Sequence, residues 1–153
     1  MIVRRARRAD IPALAAVAER SYRMAFKTIL ASDALQTRTS AFFQLRFEAA
    51  WDRMWVAGPN GEPVGFCLMT DGHIDMLFVD PESAGRGVGA ALLRQVEGLG
   101  ARSLECFRDN QLARRFYEIH GWVVEREYER EFLGSEHAFV LMVKKRRDPT
   151  AQA

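Results

Sequence analysis

Glycines recur at positions 85, 87 and 89, directly before an apolar pattern of helical period. They follow a strand-like run at 77–79 and the turn pair Asp80-Pro81. Glycine, which has no Cβ atom, lets the backbone approach a ligand closely, and the free N–H groups of a helix's first turn attract anions. The spacing therefore predicts a backbone cradle for a phosphate or pyrophosphate, to which Arg86 could add a charged contact. A tight strand-to-helix connection is the alternative for this stretch taken alone.

Two widespread phosphate-binding motifs do not fit this glycine-rich turn. A P-loop requires Gly-Lys-Ser/Thr at the end of the loop, and that sequence is absent here. A dinucleotide-binding turn follows the first strand of a βαβ unit, whereas this turn follows the fourth predicted strand. The turn is therefore expected to be neither a P-loop nor a dinucleotide-binding turn.

A second informative stretch covers residues 110–122 and contains Asn, Ala, the pair Phe-Tyr and finally Gly-Trp, in that order. Together the two stretches resemble the GCN5-related N-acetyltransferase superfamily (GNAT), whose glycine motif reads R/Q-x-x-G-x-G/A. The next motif of that family runs from Asn through Ala to Phe-Tyr and ends in Gly plus an aromatic residue. The specific motifs cover residues 74–122, and the order of elements resembles the family over nearly the whole chain.

The resemblance implies an acyl-CoA-dependent N-acyltransferase that uses acetyl-CoA as the acyl donor and no metal. It implies that the backbones of Leu77 and Val79 hold the pantetheine arm, that Asn110 contacts it and that Phe116 lines its groove. The residues expected at the coenzyme A site are Leu77, Phe78, Val79, Gly85, Arg86, Gly87, Val88, Gly89, Ala90, Asn110 and Phe116. Ala84 stands where the family has Gln or Arg, so backbone amides and Arg86 would carry the pyrophosphate contacts.

The same resemblance implies the catalytic roles. The Leu77 N–H would polarise the thioester carbonyl, and Tyr117 would protonate the departing thiolate, as a phenol near a thiolate can. The family places its base early on the fourth strand, where His73 and Asp75 stand, and strand alternation predicts that both share a face with Leu77. A core aromatic is the alternative for Tyr117, and a turn residue is the alternative for His73.

The acceptor is left open between a small-molecule amine and a protein amine. In the family, the first helices and the last hairpin shape the acceptor site. Aromatic residues in these regions could line it or belong to the core: Phe42, Phe43, Phe47, Trp51, Tyr128 and Phe132. Four glutamates at 125, 127, 129 and 131 are expected on one strand face, which would attract a cationic amine or be simply solvated. A non-catalytic acyl-CoA-binding or interaction module is the alternative function, and Ala84 gives it weight.

The elements that must position these residues follow from the hydrophobic period. The pattern predicts the order β-α-α-β-β-β-α-β-α-β-β, an α/β fold with a mixed sheet. Asp10 and Pro12 mark the start of the first helix, and Gly-Pro-Asn-Gly at 58–61 predicts a hairpin turn. The family resemblance implies a largely antiparallel sheet of about seven strands, flanked by about four helices and splayed between strands 4 and 5.

Composition limits the class of protein and the partners. Hydrophobic residues make up 48% and charged residues 27% of the 153 residues, which excludes a disordered chain. We expect a single domain over 1–147 and a short polar tail at 148–153. No apolar run is long enough for a membrane span, and we expect no export signal. The expected location is therefore the cytoplasm, where Cys67 and Cys106 would be free thiols.

The distribution of charge argues against nucleic acid as a partner. Eight of the 22 Lys and Arg residues lie near the two ends, which leaves 14 against 20 acidic residues in the body of the chain. A nucleic-acid-binding protein would usually gather its basic residues on one face. We expect an amine acceptor as the partner, with no nucleic acid and no membrane, and a homodimer is left open.

Overall fold

The computed structural model describes residues 1–145 and contains seven β-strands and five α-helices in that range. This part of the chain divides into two compact units, the first at Met1–Ala101 and the second beginning at Arg102. The expected tail at 148–153 lies outside the described residues. The prediction of one domain over 1–147, which ends outside them, stays a prediction.

The first unit is an antiparallel sheet with helices on both faces. Its strands, in spatial order, are β1 (Ile2–Arg5), β2 (Met54–Gly58), β3 (Gly65–Thr70) and β4 (His73–Val79). Its helices are α1 (Ile11–Phe26), α2 (Ser32–Gln36), α3 (Ser40–Glu48) and α4 (Val88–Gly98). The unit therefore contains the predicted glycine-rich turn together with the strand before it and the helix after it.

Aromatic side chains fill the space between this sheet and the helices α1 and α3. Phe66 of β3 pairs with Phe78 of β4, so both side chains lie on the same face. The Phe66 ring contacts Phe47 of α3, with centroids 5.2 Å apart, and the Phe78 ring lies 6.2 Å from that of Tyr22 of α1. This α1/α3 face holds the largest aromatic cluster that we find in the first unit.

Helix α4 covers the opposite face at very close range. A Cβ atom on Gly65 of β3 would lie 2.8 Å from Cγ1 of Val88 and 3.3 Å from Cδ1 of Leu92. Contacts below 3.0 Å are essentially never made by a real Cβ. Glycine at position 65 therefore allows the start of α4 to sit directly on the sheet.

The second unit is a three-stranded antiparallel sheet with one helix. Its strands are β5 (Ser103–Phe107), β7 (Ser135–Lys144) and β6 (Trp122–Phe132), in that spatial order. Helix α5 (Gln111–Ile119) connects β5 to β6 and buries Tyr117 against the indole of Trp122, with ring centroids 5.9 Å apart. The prediction of a mixed α/β fold with seven mainly antiparallel strands is confirmed, and the splay between strands 4 and 5 stays a prediction.

Two local expectations are corrected. The second helical stretch is interrupted, because Thr39 begins a new helix by accepting a hydrogen bond from the Phe42 N–H (3.1 Å). Asp10 precedes α1 as expected, but its carboxylate accepts hydrogen bonds from the Arg7 N–H and the Arg4 guanidinium instead of capping the helix.

Cys67 and Cys106 are both free thiols, as expected. Burial raises the pKa of Cys67 to about 12 and that of Cys106 to about 11, so neither thiol ionises near neutral pH. Within residues 1–145, no helix is long and apolar enough to cross a membrane.

The contact between Gly65 and α4 gives a first prediction. We expect Gly65→Ala to lower the free energy of unfolding by about 1–3 kcal/mol, since the added methyl group forces α4 away from β3. The control is Gly98→Ala, at a position with no other atom within 4 Å of the added methyl group. That variant should be neutral or more stable by up to about 1 kcal/mol. Urea unfolding measures both, and equal stability of the two variants would contradict the close contact.

Candidate active site

The backbone of β4 offers two residues, Leu77 and Val79, on the side that faces away from β3. The Asp80 N–H donates to the Val64 carbonyl at 2.7 Å, so Asp80 and Val64 form a hydrogen-bonded pair between the two strands. Polar groups of successive residues in a strand point to alternate sides. The N–H and C=O groups of Leu77 and Val79 therefore point away from β3, the orientation required of groups that hold an extended ligand.

Helix α1 holds the carboxyl end of β4 in place through two polar contacts. The Ser21 hydroxyl donates to the Val79 carbonyl at 3.0 Å. The neighbouring Arg20 forms an ion pair with Asp80, whose side chain is only 11% exposed. The two contacts join residues about 60 positions apart and set where the chain leaves the sheet.

Asp80 also organises the turn that follows β4. Its carboxylate accepts a hydrogen bond from the Glu82 N–H (3.2 Å) and so caps the short 3-10 turn Pro81–Ser83. The hydrogen bond from Arg20 is the main reason why the pKa of Asp80 lies below its usual value; the Glu82 N–H and the positive charge of Arg20 act in the same direction. A charged Asp80 therefore stabilises the entry to the glycine-rich turn.

The glycine-rich turn has the geometry of an anion cradle. Gly85 and Gly87 adopt φ angles of +79° and +80°, and apart from the adjacent residues no atom lies within 4 Å of the place where a Cβ would stand. Side chains rarely adopt these angles, so the sequence needs glycine at both positions. Alternating backbone conformations of this kind gather N–H groups into a concave anion site.

The first turn of α4 adds further donors to this cradle. The first hydrogen bond within the helix runs from the Ala91 N–H to the Gly87 carbonyl (3.1 Å). Helical geometry therefore leaves the N–H groups of Val88, Gly89 and Ala90 without an acceptor inside the helix. The Arg86 side chain is exposed beside them. The cradle combines backbone donors, the helix dipole and one cation, and it fits a pyrophosphate.

A β-bulge interrupts β4 at Asp75. Leu68 of β3 pairs with Met76, but the next β3 residue, Met69, pairs with Ile74. Asp75 is the extra residue in this register. A bulge of this kind bends the strand and shifts the alternation of side chains by one position.

The bulge changes the expected arrangement of the candidate bases. His73 pairs with Thr70 of β3, and Leu77 pairs with Cys67. Thr70 and Cys67 are three residues apart, an odd number, so their side chains and those of their partners lie on opposite faces of the sheet. The prediction that His73 shares a face with Leu77 is therefore wrong, because the extra residue lies between them. Asp75 lies on the face of His73, since the Thr70 hydroxyl donates to its carboxylate at 2.7 Å.

Thr70 links Asp75 to a nearby cation. The Arg53 Nε donates to the Thr70 oxygen at 3.3 Å, and Thr70 in turn donates its own proton to Asp75. Asp75 is exposed, and His73, the partner of Thr70 in the register, is half-buried. These polar residues occupy the α1/α3 face of the first sheet, the same face that carries Phe78.

The second unit holds the other predicted residues on α5. Asn110 caps the helix by accepting from the Ala113 N–H at 3.3 Å, so the amide oxygen of Asn110 is engaged, whereas its NH₂ group takes no part in this hydrogen bond. Phe116 is half-buried against the His120 ring, with centroids 4.7 Å apart. Tyr117 is buried and points its ring into the packing of the unit.

The aromatic residues considered for the acceptor site differ in their burial and in their contacts. Phe43 and Phe47 are fully buried and belong to the core, whereas Phe42 is 37% exposed. In the second unit, Tyr128 donates to the Glu105 carboxylate, and burial together with this bond raises its pKa to about 12. Trp51 is half-buried under the Arg8 guanidinium, and Phe132 packs against Phe107.

The row of glutamates on β6 is also interrupted. The register between β6 and β7 shifts between Val124 and Arg126, so Glu125 is an extra residue. Only Glu127, Glu129 and Glu131 keep a regular two-residue spacing. The expectation that all four share one face of a regular strand is therefore wrong.

Sequence reasoning missed the contacts of α1 with the end of β4. Ser21 continues the buried stripe formed by Leu14, Val17 and Ala18, where a hydroxyl needs a partner. A serine within an apolar stripe is the sequence feature that could have indicated this contact. The Arg20–Asp80 pair gives no such signal, because nothing local distinguishes it from a solvated charge. Among residues 1–145, no group of three or more His, Cys, Asp or Glu side chains could hold a metal ion.

The pKa of Asp80 gives a second prediction. Because the folded-state pKa lies below the unfolded value of about 3.9, its stabilising effect is complete above pH 4 and disappears as pH falls through the folded pKa. We expect Asp80→Asn to lose about 1–3 kcal/mol at pH 7, and the difference from the parent should shrink in acid. Urea unfolding at several pH values measures this difference.

The control is Asp109→Asn, which breaks a fully exposed pair with Arg108 and should show a smaller difference from the parent. A difference for Asp80→Asn that is constant down to pH 2 would contradict the assignment.

Known proteins resemble this chain in sequence and in fold. The model of the acetyltransferase (GNAT) family matches residues 21–122. The uncharacterized N-acetyltransferase YafP of Escherichia coli is 36% identical over 86 residues, which make up 56% of each chain. The peptidyl-lysine N-acetyltransferase YjaB of Salmonella typhimurium is 33% identical over 92 residues, or 59% of this chain and 63% of that protein. The chain thus matches little more than half the length of these relatives.

Solved structures extend the likeness to nearly the whole chain. The apo form of YjaB from Escherichia coli superposes with a TM-score of 0.76 at 26% identity, over 94% of this chain and 97% of that one. The paia N-acetyltransferase of Thermoplasma acidophilum, solved with coenzyme A, has the same fold, with a TM-score of 0.76 at 19% identity and coverage of 95% and 98%. Since the family model alone spans more than half of the 153 residues, the chain belongs to the acetyltransferase (GNAT) family.

Proposed function

We propose that the protein is an N-acetyltransferase that carries the acetyl group of acetyl-CoA to a primary amine of a small molecule or protein. The observation that carries this proposal is the anion cradle formed by Gly85, Gly87 and the first turn of α4. Pyrophosphate is the part of coenzyme A that such a cradle suits. Membership of the family and relatives named as peptidyl-lysine N-acetyltransferases support the reaction class.

Coenzyme A would be held mainly by backbone groups. Residues 85–90 would donate to the pyrophosphate, and Arg86 would supply the positive charge that Ala84 lacks at the family's Gln or Arg position. Leu77 and Val79 would hold the pantetheine arm, which is supported by the direction of their polar groups away from β3. The Asn110 NH₂ group and the Phe116 ring would complete the binding of this arm.

Two groups of this chain would then act on the thioester. The thioester of acetyl-CoA supplies the acetyl group, and the Leu77 N–H would stabilise the negative charge that develops on the carbonyl oxygen when the amine nitrogen attacks. As the C–S bond breaks, Tyr117 would give its proton to the sulfur. Because Leu77 acts through its N–H rather than its side chain, the bulge at Asp75 does not remove this role.

His73 and Asp75 are the proposed proton acceptors for the amine. The α1/α3 face that bears them also bears Phe78, the residue between Leu77 and Val79. We propose that His73 takes the proton and that Asp75 orients the ring or the incoming amine.

A non-catalytic acyl-CoA-binding module on the same fold is the second candidate. The feature that favours it is Ala84, whose methyl group offers no contact to the pyrophosphate. Both candidates bind acetyl-CoA, but only the enzyme consumes it. Release of free thiol from acetyl-CoA in the presence of amines therefore decides between them.

Our third prediction concerns donor binding. Acetyl-CoA at about 100 times its dissociation constant should stabilise the fold by about 2.7 kcal/mol, seen as a higher Tm. Gly87→Glu should abolish this shift by placing a carboxylate in the cradle. Gly87→Ala is the control, because it imposes the same strain at φ +80° without the charge. An equal shift in the glutamate and alanine variants would place the anion elsewhere.

Our fourth prediction concerns Tyr117. Tyr117→Phe keeps the ring that packs on Trp122 but removes the transferable proton. If Tyr117 is the acid, kcat for thiol release should fall about 100-fold or more, and acetyl-CoA binding should hardly change. Single-turnover rates and binding titrations on both proteins measure this, with an amine panel that includes a lysine peptide. Equal rates would make Tyr117 a packing residue, and no thiol release by the parent with any amine would favour the non-catalytic module.

A further inference from the structure

Tyr22 of α1 carries a buried hydroxyl with no hydrogen-bond partner. The residue is only 6% exposed, and its oxygen completes no hydrogen bond with any described residue. Buried hydroxyls in folded proteins nearly always have a partner, because leaving one unpaired is costly. The proposed chemistry makes no use of this hydroxyl. Its position therefore suggests that a ligand supplies the missing partner.

The Arg38 guanidinium is the cationic group beside this hydroxyl. Burial raises the pKa of Tyr22, and the nearby Arg38 guanidinium acts in the opposite direction, although the two side chains complete no hydrogen bond of normal geometry. Arg38 lies in the connection between α2 and α3, where it covers the Phe42 ring at 4.2 Å and donates to Thr37 at 3.2 Å. No carboxylate of residues 1–145 forms an ion pair with it. A guanidinium has five N–H donors, so most of them remain for a ligand.

The acidic residue of α1, Glu19, is already engaged in other contacts. The Glu19 carboxylate accepts a hydrogen bond from the Ser40 N–H at the start of α3 and pairs with Arg23 at 3.4 Å. It therefore serves to hold α1 against α3. The positive charge of Arg38 is left uncompensated next to the Tyr22 hydroxyl.

Aromatic rings connect this pair to the proposed reaction centre. The Tyr22 ring lies 4.6 Å from Phe26 and 6.2 Å from Phe78, and the two phenylalanines contact each other edge to face. Phe26 and Phe78 are half-buried, and Phe42 is exposed beside Arg38. Phe78 stands between Leu77 and Val79, whose backbones are proposed to hold the thioester arm. An apolar surface of one or two rings thus separates the cation from the reacting group.

We propose that Tyr22 and Arg38 bind a carboxylate of the acceptor, which makes the acceptor a small amine of the amino-acid class. The Tyr22 hydroxyl and the guanidinium would donate to the carboxylate oxygens, and Phe26, Phe42 and Phe78 would contact the apolar body. The separation of about one ring between Tyr22 and Phe78 favours a small molecule over a protein chain. This inference rests on the proposed transferase function and names its substrate class.

The test uses the full-length protein, acetyl-CoA and matched pairs of acceptors. Each of the common amino acids is compared with its carboxamide, and kcat/KM is measured by thiol release. The carboxamide has a less basic amine, so the deciding quantity is the acid-to-amide ratio in a variant relative to the parent. We expect Arg38→Gln to lower this ratio 10- to 100-fold, mainly through KM, and Tyr22→Phe to lower it about 10-fold.

Arg94→Gln is the matched control, since it removes the same charge from an exposed position on α4, on the other face of the sheet. Its acid-to-amide ratio should equal that of the parent. A ratio unchanged by Arg38→Gln would overturn the proposal, as would efficient acetylation of a lysine peptide with blocked termini at rates independent of Arg38.

A binding measurement separates failure of this inference from failure of the proposed function. N-acetyl amino acids, the expected products, are tested for a rise in Tm in the presence of coenzyme A. If no amine is acetylated but the acids raise Tm in the parent and not in Arg38→Gln, the transferase function fails and the carboxylate site stands. If thiol release occurs and neither the ratio nor the Tm depends on Arg38, the carboxylate site fails alone.

Discussion

The pairing of β4 with β3 determines which backbone groups the first unit can offer to a ligand. The hydrogen bond from the Asp80 N–H to the Val64 carbonyl fixes the register, so Leu77 and Val79 direct their polar groups away from β3. A slip by one residue would turn these groups inward and replace them with those of Phe78. The aromatic contacts of Phe78 on the α1/α3 face stabilise the observed register against that slip.

Asp80, at the end of β4, affects both the stability of the fold and the position of the proposed anion cradle. Asp80 is a buried carboxylate held by Arg20, and such a group is retained at a cost in desolvation. Its benefit is the position of the 3-10 turn that leads into the two glycines with positive φ. The cradle itself is built from amides and needs no particular side chain. Under the proposed function, a chain with Ala84 in place of Gln or Arg would therefore keep an anion site.

Much of this arrangement could be predicted from local signals. Glycine at 85 and 87 predicts the turn because only glycine adopts those angles at low cost, and Asn110 predicts the start of α5 because it is a good cap. The bulge at Asp75 could not be predicted, since it depends on pairing with β3 rather than on any nearby residue. The contacts of Arg20 and Ser21 join positions about 60 residues apart, and such pairs leave no periodic pattern.

The proposed function requires that backbone amides of the first unit bind the acyl donor. The most direct measurement is a titration of ¹⁵N-labelled protein with coenzyme A, read residue by residue from amide chemical shifts. We expect the largest changes at Gly87, Val88 and Gly89, together with Leu77 and Val79. Saturable binding that leaves these five amides unperturbed would contradict it.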